Sequence, residues 1–202
     1  MSPRLLVAST NQGKLTEIRD ILAVLGIDIF NLSAFPQIDL SVVEETGATF
    51  TENAALKAIH YASITRLPTL AEDSGLIITA LNGEPGVQSA RWFPGSDEAR
   101  SQAILSRMKT ISNRSAFFHC SVCLYHPLTQ VTQLFDGEVE GTIAQECRGE
   151  DGFGYDPIFI PNGYSETFAE LGISVKNSLS HRHKALEVVK VYLQNHPEFL
   201  SL

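Results

Sequence analysis

Four stretches of this sequence carry side chains whose types and spacing could do phosphate chemistry. The first, Ser9-Thr10-Asn11-Gln12-Gly13-Lys14, follows a short apolar run and precedes a helical pattern. A strand-to-helix turn of this kind offers unpaired backbone N–H groups and the positive end of a helix, and Lys14 adds a cation. The same stretch would serve equally as a well-capped turn with an exposed lysine. It is not a P-loop: Val7 or Ala8 stands where that motif needs a glycine, and Leu15 stands where it needs a magnesium-binding hydroxyl. A metal that accompanies the phosphates must therefore be held elsewhere. The carboxylates Glu44, Glu45, Glu72 and Asp73 are the second stretch, read as lying in or beside loops, with Asp73 directly after an apolar strand. Magnesium takes hard oxygen ligands, usually one or two carboxylates completed by water and substrate phosphate. Acidic pairs are also common on a solvated surface, so this signal alone does not decide.

Gly152-Phe153-Gly154-Tyr155-Asp156-Pro157 is the third stretch. Flanking glycines let backbone approach a ligand closely, and an aromatic held there can stack on a base. The plainer reading is an aromatic turn packed into the core. The spacing does not match the dinucleotide fingerprint, and a strand rather than a helix is expected next. The fourth stretch, Lys176-Asn177-Ser178-Leu179-Ser180-His181-Arg182, is placed just before the last helix. Ser180 could simply cap that helix, with His181 and Arg182 solvated. Yet cations at a helix N-terminus oppose its dipole, so an anionic or keto-rich ligand would give them a reason to be there.

The elements that must position these groups follow from periodicity. Leu5–Ala8 reads as a buried strand. Leu15, Ile18, Leu22 and Leu25 fall at helical spacing, and Gly26 closes the helix. Ile27–Phe30 is a second strand, and Leu32–Thr46 is polar and irregular. Thr49-Phe50-Thr51-Glu52 is a capping-box signature opening a helix to about Ile64. Thr69–Ala71 then leads into Glu72-Asp73-Ser74-Gly75. A third helix begins near Ser96, Ser115–His126 and Val131–Phe135 form a long hairpin continuing through Gly141, Pro157–Ile160 is a brief strand, and a final helix runs from Arg182 to Asn195. The alternation predicts a mixed α/β fold, a single domain over residues 1–202 with two lobes and a cleft.

Composition narrows the function classes. The 202 residues suffice for a real core without staples, and 44% hydrophobic with 19% charged residues is globular composition. The net charge of −8 argues against DNA, RNA or anionic membrane as partner. No apolar run approaches the roughly 20 residues that span a bilayer, and the N-terminal run is too short for a secretory core. Three cysteines, Cys120, Cys123 and Cys147, suit a reducing cytoplasm. Cys120 and Cys123 spell C-x-x-C, but on a strand that odd offset sends them to opposite faces, as buried hydrophobes.

In order and spacing these stretches resemble the inosine and xanthosine triphosphate pyrophosphatase family of house-cleaning nucleotide hydrolases. The match runs from Ser9 to Arg182 and includes Glu44-Glu45-Thr46-Gly47, Thr51-Glu52-Asn53-Ala54, Ala71–Gly75, Pro85-Gly86-Val87, Ser89-Ala90-Arg91, Phe118-His119-Cys120 and Gly152–Pro157. The resemblance implies an elongated two-lobed α/β fold, a homodimer, a magnesium cofactor and cleavage between the α and β phosphates. It implies that Ser9, Thr10, Asn11, Gln12, Gly13 and Lys14 hold the triphosphate and that Glu44 and Asp73 ligate magnesium. Asp73 is then also the general base and Ser74 a substrate contact, while Phe153, Gly154, Tyr155, Asp156, Lys176, His181 and Arg182 cradle base and sugar. Val175, Gln88 and Glu72 depart from residues common in the family. The rival readings are a pyrophosphatase for another modified nucleotide, and a catalytically silent nucleotide-binding protein; a mere binder gains nothing from carboxylates set among phosphates.

Overall fold

A computed structural model describes residues 2–36 and 43–201. The first strand, β1 (Arg4–Val7), is apolar on both sides because both sides are covered. Helix α1 (Gln12–Leu22) follows and continues through a 3-10 turn, Ala23–Leu25, that Gly26 closes in the left-handed region. The chain returns as β2 (Asp28–Asn31), parallel to β1 with Arg4 opposite Asp28. Of the irregular stretch expected over Leu32–Thr46, residues 37–42 lie outside the described residues.

Helix α2 (Phe50–Thr65) starts where the capping signature places it, with the Thr49 hydroxyl accepting from Glu52 N. The box closes differently from expectation: the Glu52 carboxylate accepts from Ala48 N, one residue before the cap. Strand β3 (Thr69–Ile78) then pairs parallel to β1 on its other side. Helix α3 (Asp97–Arg107), strands β4 (Ser115–Tyr125) and β5 (Thr132–Ile143), and the short β6 (Phe159–Pro161) follow. Helices α4 (Phe168–Leu179) and α5 (His181–Asn195) end the regular structure. The strands form one mixed sheet in the order β2-β1-β3-β4-β5-β6, so the expected α/β class holds.

Three expectations are corrected. Glu72-Asp73-Ser74-Gly75 is not a loop after a strand; it is the middle of the ten-residue β3. A polar run can sit in a central strand when each buried charge finds a partner, and tertiary pairing overrides the weak strand propensity of these residues. The brief strand begins at Phe159, after a 3-10 turn over Asp156–Ile158. Lys176 lies not in a connection but in the last turn of α4, opened by a full capping box between Thr167 and Glu170. Gly172, at φ 79 and ψ 162, breaks that helix midway and hid its period from view.

The chain divides into two compact units. One comprises residues up to Asp73, Cys120–Gly137 and the chain from His183 onward. The other comprises Ser74–His119 and Glu138–Arg182. In the first unit, Leu5 and Val7 join α1, α5 and Cys120 in one core, while Leu6 and Ala8 join α2 and Cys123 in another. The period-2 alternation of β1 and the opposite placement of the two cysteines are as expected. Ala54 and Ala58, both fully buried, let α2 lie close against its strand neighbours. Burial pushes the Cys123 thiol up to about 12, so it is inert packing. The second unit has its own core of Leu76, Ile78, Ile104, Phe118, Phe159 and Phe168, with the Phe118 and Phe159 rings 4.7 Å apart.

β6 is held against β5 at Gly141, where Pro161 stands opposite. A Cβ on Gly141 would lie 2.2 Å from the Ile160 carbonyl oxygen and 2.7 Å from the Phe159 ring. Overpacking of this kind costs about 1–3 kcal/mol, which in a chain of this size lowers Tm by roughly 2–12 °C. Gly141→Ala is expected to show that fall in a thermal melt; an unchanged Tm would contradict the β5–β6 packing.

Candidate functional site

In the first unit the site is built on β1, α1, α2 and β3. The chain leaves β1 at Val7 and turns through Ser9 and Thr10 into α1. Asn11 is the N-cap, its side chain accepting from Lys14 N at 3.1 Å, and Ser9 Oγ accepts from Asn11 N at 3.2 Å. The first turn of α1 contains no acidic residue, so the positive end of the helix is not neutralised from within. Gly13 and Lys14 are half-buried and Thr10, Asn11 and Gln12 are exposed. Lys14 Nζ lies 2.7 Å from Glu72 Oε1, and the Cys120 thiol donates to the other oxygen of Glu72 at 3.0 Å.

Asp73 follows Glu72 on the same strand, so its side chain takes the opposite face. There α2 presents Asn53 and Lys57, four residues apart and therefore on one side of the helix. Asn53 Nδ2 donates to Asp73 Oδ2 at 3.0 Å, and Lys57 Nζ lies 3.5 Å from Asp73 Oδ1 and 2.6 Å from Glu45 Oε1. Burial raises the Asp73 carboxyl above its ordinary value; Lys57 opposes this, Glu45 adds to it, and the Asn53 bond and Lys14 oppose it again. Burial pulls the Lys57 ammonium down, but Asp73, Glu45 and Glu72 outweigh it and the net shift is upward. The carboxyl of Asp73 thus binds its proton more tightly than a free carboxylate does, with burial as the main cause.

Glu44 is exposed and makes no side-chain hydrogen bond or ion pair among the described residues. The structure brings its neighbour Glu45 to the cluster instead. Lys57, Asn53 and Cys120 were not singled out as functional in the sequence. The first two were legible as i, i+4 positions on the helix that Thr49 opens; Cys120 was read as a buried hydrophobe of its strand, with no sign that its thiol would meet Glu72. Among the described residues no three His, Cys, Asp or Glu side chains gather as a metal group. Asp73 and Glu45, two hard carboxylates that disfavour each other's charge, nonetheless fit the one or two carboxylates that magnesium uses.

In the second unit Gly152 lets the chain fold over Asp156: it has φ 85, and a Cβ there would sit 2.2 Å from Asp156 Oδ2. That oxygen accepts from Phe153 N at 2.8 Å and from Lys176 Nζ at 2.6 Å. Lys176 and Asp156 are both 3% exposed, so the pair is a buried one. Lys176 Nζ also lies 4.0 Å from the centroid of the half-buried Phe153 ring, and the Arg182 guanidinium lies 5.6 Å from it. Arg182, 1% exposed, donates to Ser74 Oγ at 3.3 Å. His181 is buried, stacked on Phe118 at 4.9 Å and nearly parallel. The solvated first turn that composition allowed for His181 and Arg182 is therefore not what forms. Gly154 N donates to Asp97, and the Tyr155 hydroxyl donates to the Ser89 carbonyl in the core, where burial pushes it up to about 12. Phe153, Asp156, Lys176, Arg182 and Ser74 are thus linked by contacts, while Tyr155 anchors the turn from behind.

The chain is similar to known proteins over most of its length. A model of the Ham1 family matches residues 5–192. The dITP/XTP pyrophosphatase of Symbiobacterium thermophilum is 46% identical over 185 residues, 91% of each chain. That of Geobacter sulfurreducens is 45% identical over 194 residues, 94% of this chain and 96% of its own. The solved HAM1 protein of Coxiella burnetii superposes with a TM-score of 0.88 at 42% identity, covering 95% of this chain and 98% of that one. The Ham1 protein of Staphylococcus aureus gives 0.86 at 37% identity, covering 96% and 99%.

The raised Asp73 carboxyl has a consequence for stability. Where folding raises an acid's pKa, the folded state holds the anion less well than the unfolded chain does. The resulting cost is absent below the ordinary carboxylate range, about pH 4, and present in full above the folded value. Asp73→Asn removes it without opening a cavity, and Lys57 retains Glu45. The variant is expected to melt at or above wild type at neutral pH, with the advantage shrinking as pH falls. A clearly lower Tm at neutral pH would contradict the burial-driven shift.

Proposed function

The chain belongs to the Ham1 family, and we propose that it hydrolyses non-standard purine nucleoside triphosphates, those of inosine, deoxyinosine and xanthosine, to the monophosphate and pyrophosphate. The observation that carries this reading is Asp73, a buried carboxylate with a raised pKa, held by an amide and a lysine one residue away from the carboxylate that pairs with Lys14. In this account Asp73 takes a proton from water as the water oxygen bonds to the α-phosphorus. The bond from that phosphorus to the bridging oxygen breaks, and the electron pair leaves with pyrophosphate. Ser9–Gly13 and the N-terminus of α1 seat the phosphates, and Lys14 takes up developing negative charge.

Magnesium fits the same place. Asp73 would hold it with Glu45, the acid the fold brings to Lys57, rather than with the exposed Glu44; when bound, it neutralises phosphate charge and polarises phosphoryl oxygens. The groups of the second unit read the base. Phe153 stacks on it, and Lys176, aimed by Asp156, and Arg182 donate to a 6-keto oxygen, with His181 and Ser74 completing the contacts. Adenine presents an amino donor at that position, which would leave buried donors unpaired. We further propose one catalytic domain over the whole chain, working as a cytoplasmic homodimer; light scattering that returned the mass of one chain would refute the dimer.

A substrate panel tests the reading. With magnesium, inosine, deoxyinosine and xanthosine triphosphates are expected to turn over at least about fivefold faster than adenosine triphosphate, since one unmatched buried donor is worth about 1–3 kcal/mol. Monophosphate and pyrophosphate should appear in equal amounts. Orthophosphate and diphosphate as products, or equal rates on adenosine triphosphate, would overturn it.

A further inference from the structure

Asn53 is completely buried, and both ends of its amide are engaged. Its oxygen accepts from Gly47 N at 2.8 Å, and its nitrogen donates to Asp73 Oδ2 at 3.0 Å. Only one orientation of the amide serves both partners: an N–H donor needs the oxygen, and a carboxylate needs the NH2. Gly47 stands two residues after Glu45, in the segment that leads into α2. That segment is docked on the first turn of the helix by Ala48 N to Glu52 Oε2 at 2.7 Å and by the Thr49 cap, but neither of those bonds reaches β3. Asn53 alone among these three side chains touches both the acid-bearing segment and the strand. The fit at Gly47 is close: a Cβ there would meet Asn53 Oδ1 at 2.7 Å and Glu52 Cβ at 2.7 Å.

We infer that Asn53 is a positioning residue, an amide clamp that fixes the Glu45 segment and the Asp73 carboxylate in one geometry so that Lys57 can serve both acids. The inference rests on the hydrolase reading for its kinetic consequences, but the clamp itself is a matter of geometry. Asn53 touches no reacting atom in this account; it acts through Asp73 and through Gly47. A misplacement of about 1 Å at a base costs up to about 10²-fold in rate, so the clamp should appear in kcat, whereas the seat at Ser9–Lys14 and the base-reading groups, which set KM, stay as they are.

The test combines Asn53→Ala, Asn53→Asp and Gly47→Ala. With inosine triphosphate and magnesium, Asn53→Ala is expected to lose at least about tenfold in kcat while KM changes less than about threefold. Asn53→Asp retains the acceptor for Gly47 but not the donor for Asp73, and should fall likewise; it decides the matter if Asn53→Ala does not fold. Gly47→Ala should lower kcat alone yet add less than about twofold on top of Asn53→Ala, because both changes break one tie. The Gly47 amide should exchange its hydrogen at least about tenfold faster in Asn53→Ala at matched stability. Wild-type kcat in both Asn53 variants, or multiplying effects in the double variant, would overturn the clamp. If wild type itself released no monophosphate from any nucleotide, the hydrolase reading would fall instead, and the Gly47 exchange rate would still decide whether the tie exists.

Discussion

Glu72 and Asp73 are consecutive residues of a central strand, and both are buried. An unpaired buried charge is expensive, and removing one partner of a buried pair costs about 3–5 kcal/mol, against a total stability of about 5–15 kcal/mol. The fold has to supply counter-charges to both acids. Strand geometry forbids one lysine facing both, because neighbouring side chains leave β3 in opposite directions. The solution takes one helix from each face: α1 brings Lys14 to Glu72, and α2 brings Lys57 and Asn53 to Asp73. The parallel placement of β1 beside β3 and the small Ala54 and Ala58 of α2 serve the same end, since they set how close those helices come.

The second unit applies the same economy of charge differently. Lys176 is buried with Asp156, whose carboxylate also fixes the Phe153 backbone, so one acid aims a cation and shapes an aromatic turn together. Arg182 approaches the same ring. In a chain of net charge −8, Lys14 and Lys57 of the first unit and Lys176 of the second are each held by a carboxylate of their own unit.

How much of this was legible depended on whether a local rule governed the residue. The α1 turn, the Thr49 cap and the Gly152–Pro157 turn are local devices, and their positions could be read off the chain. β3 could not, because Glu72-Asp73-Ser74-Gly75 has the composition of a loop and is held as strand only by partners distant in sequence. The choice between Glu44 and Glu45 was equally closed to pattern: in irregular backbone no period says which of two adjacent acids turns inward, and here the Gly47–Asn53 bond stands next to the one that does. Lys57 reads as an ordinary surface lysine until β3 is laid beside α2. Helix α4 was not read from the sequence, because the break at Gly172 interrupts its period.

The central claim is that two adjacent carboxylates do separate work, Glu72 by holding Lys14 on the phosphate seat and Asp73 by acting on water. Steady-state kinetics of Glu72→Gln and Asp73→Asn on inosine triphosphate tests it most directly. Glu72→Gln is expected to raise KM about tenfold, or about 1.4 kcal/mol of binding, with kcat held within a few-fold. Asp73→Asn is expected to lose ~10²–10⁴ in kcat with KM little changed. Equal losses of kcat in the two variants, or near-normal turnover by Asp73→Asn, would contradict the division of labour.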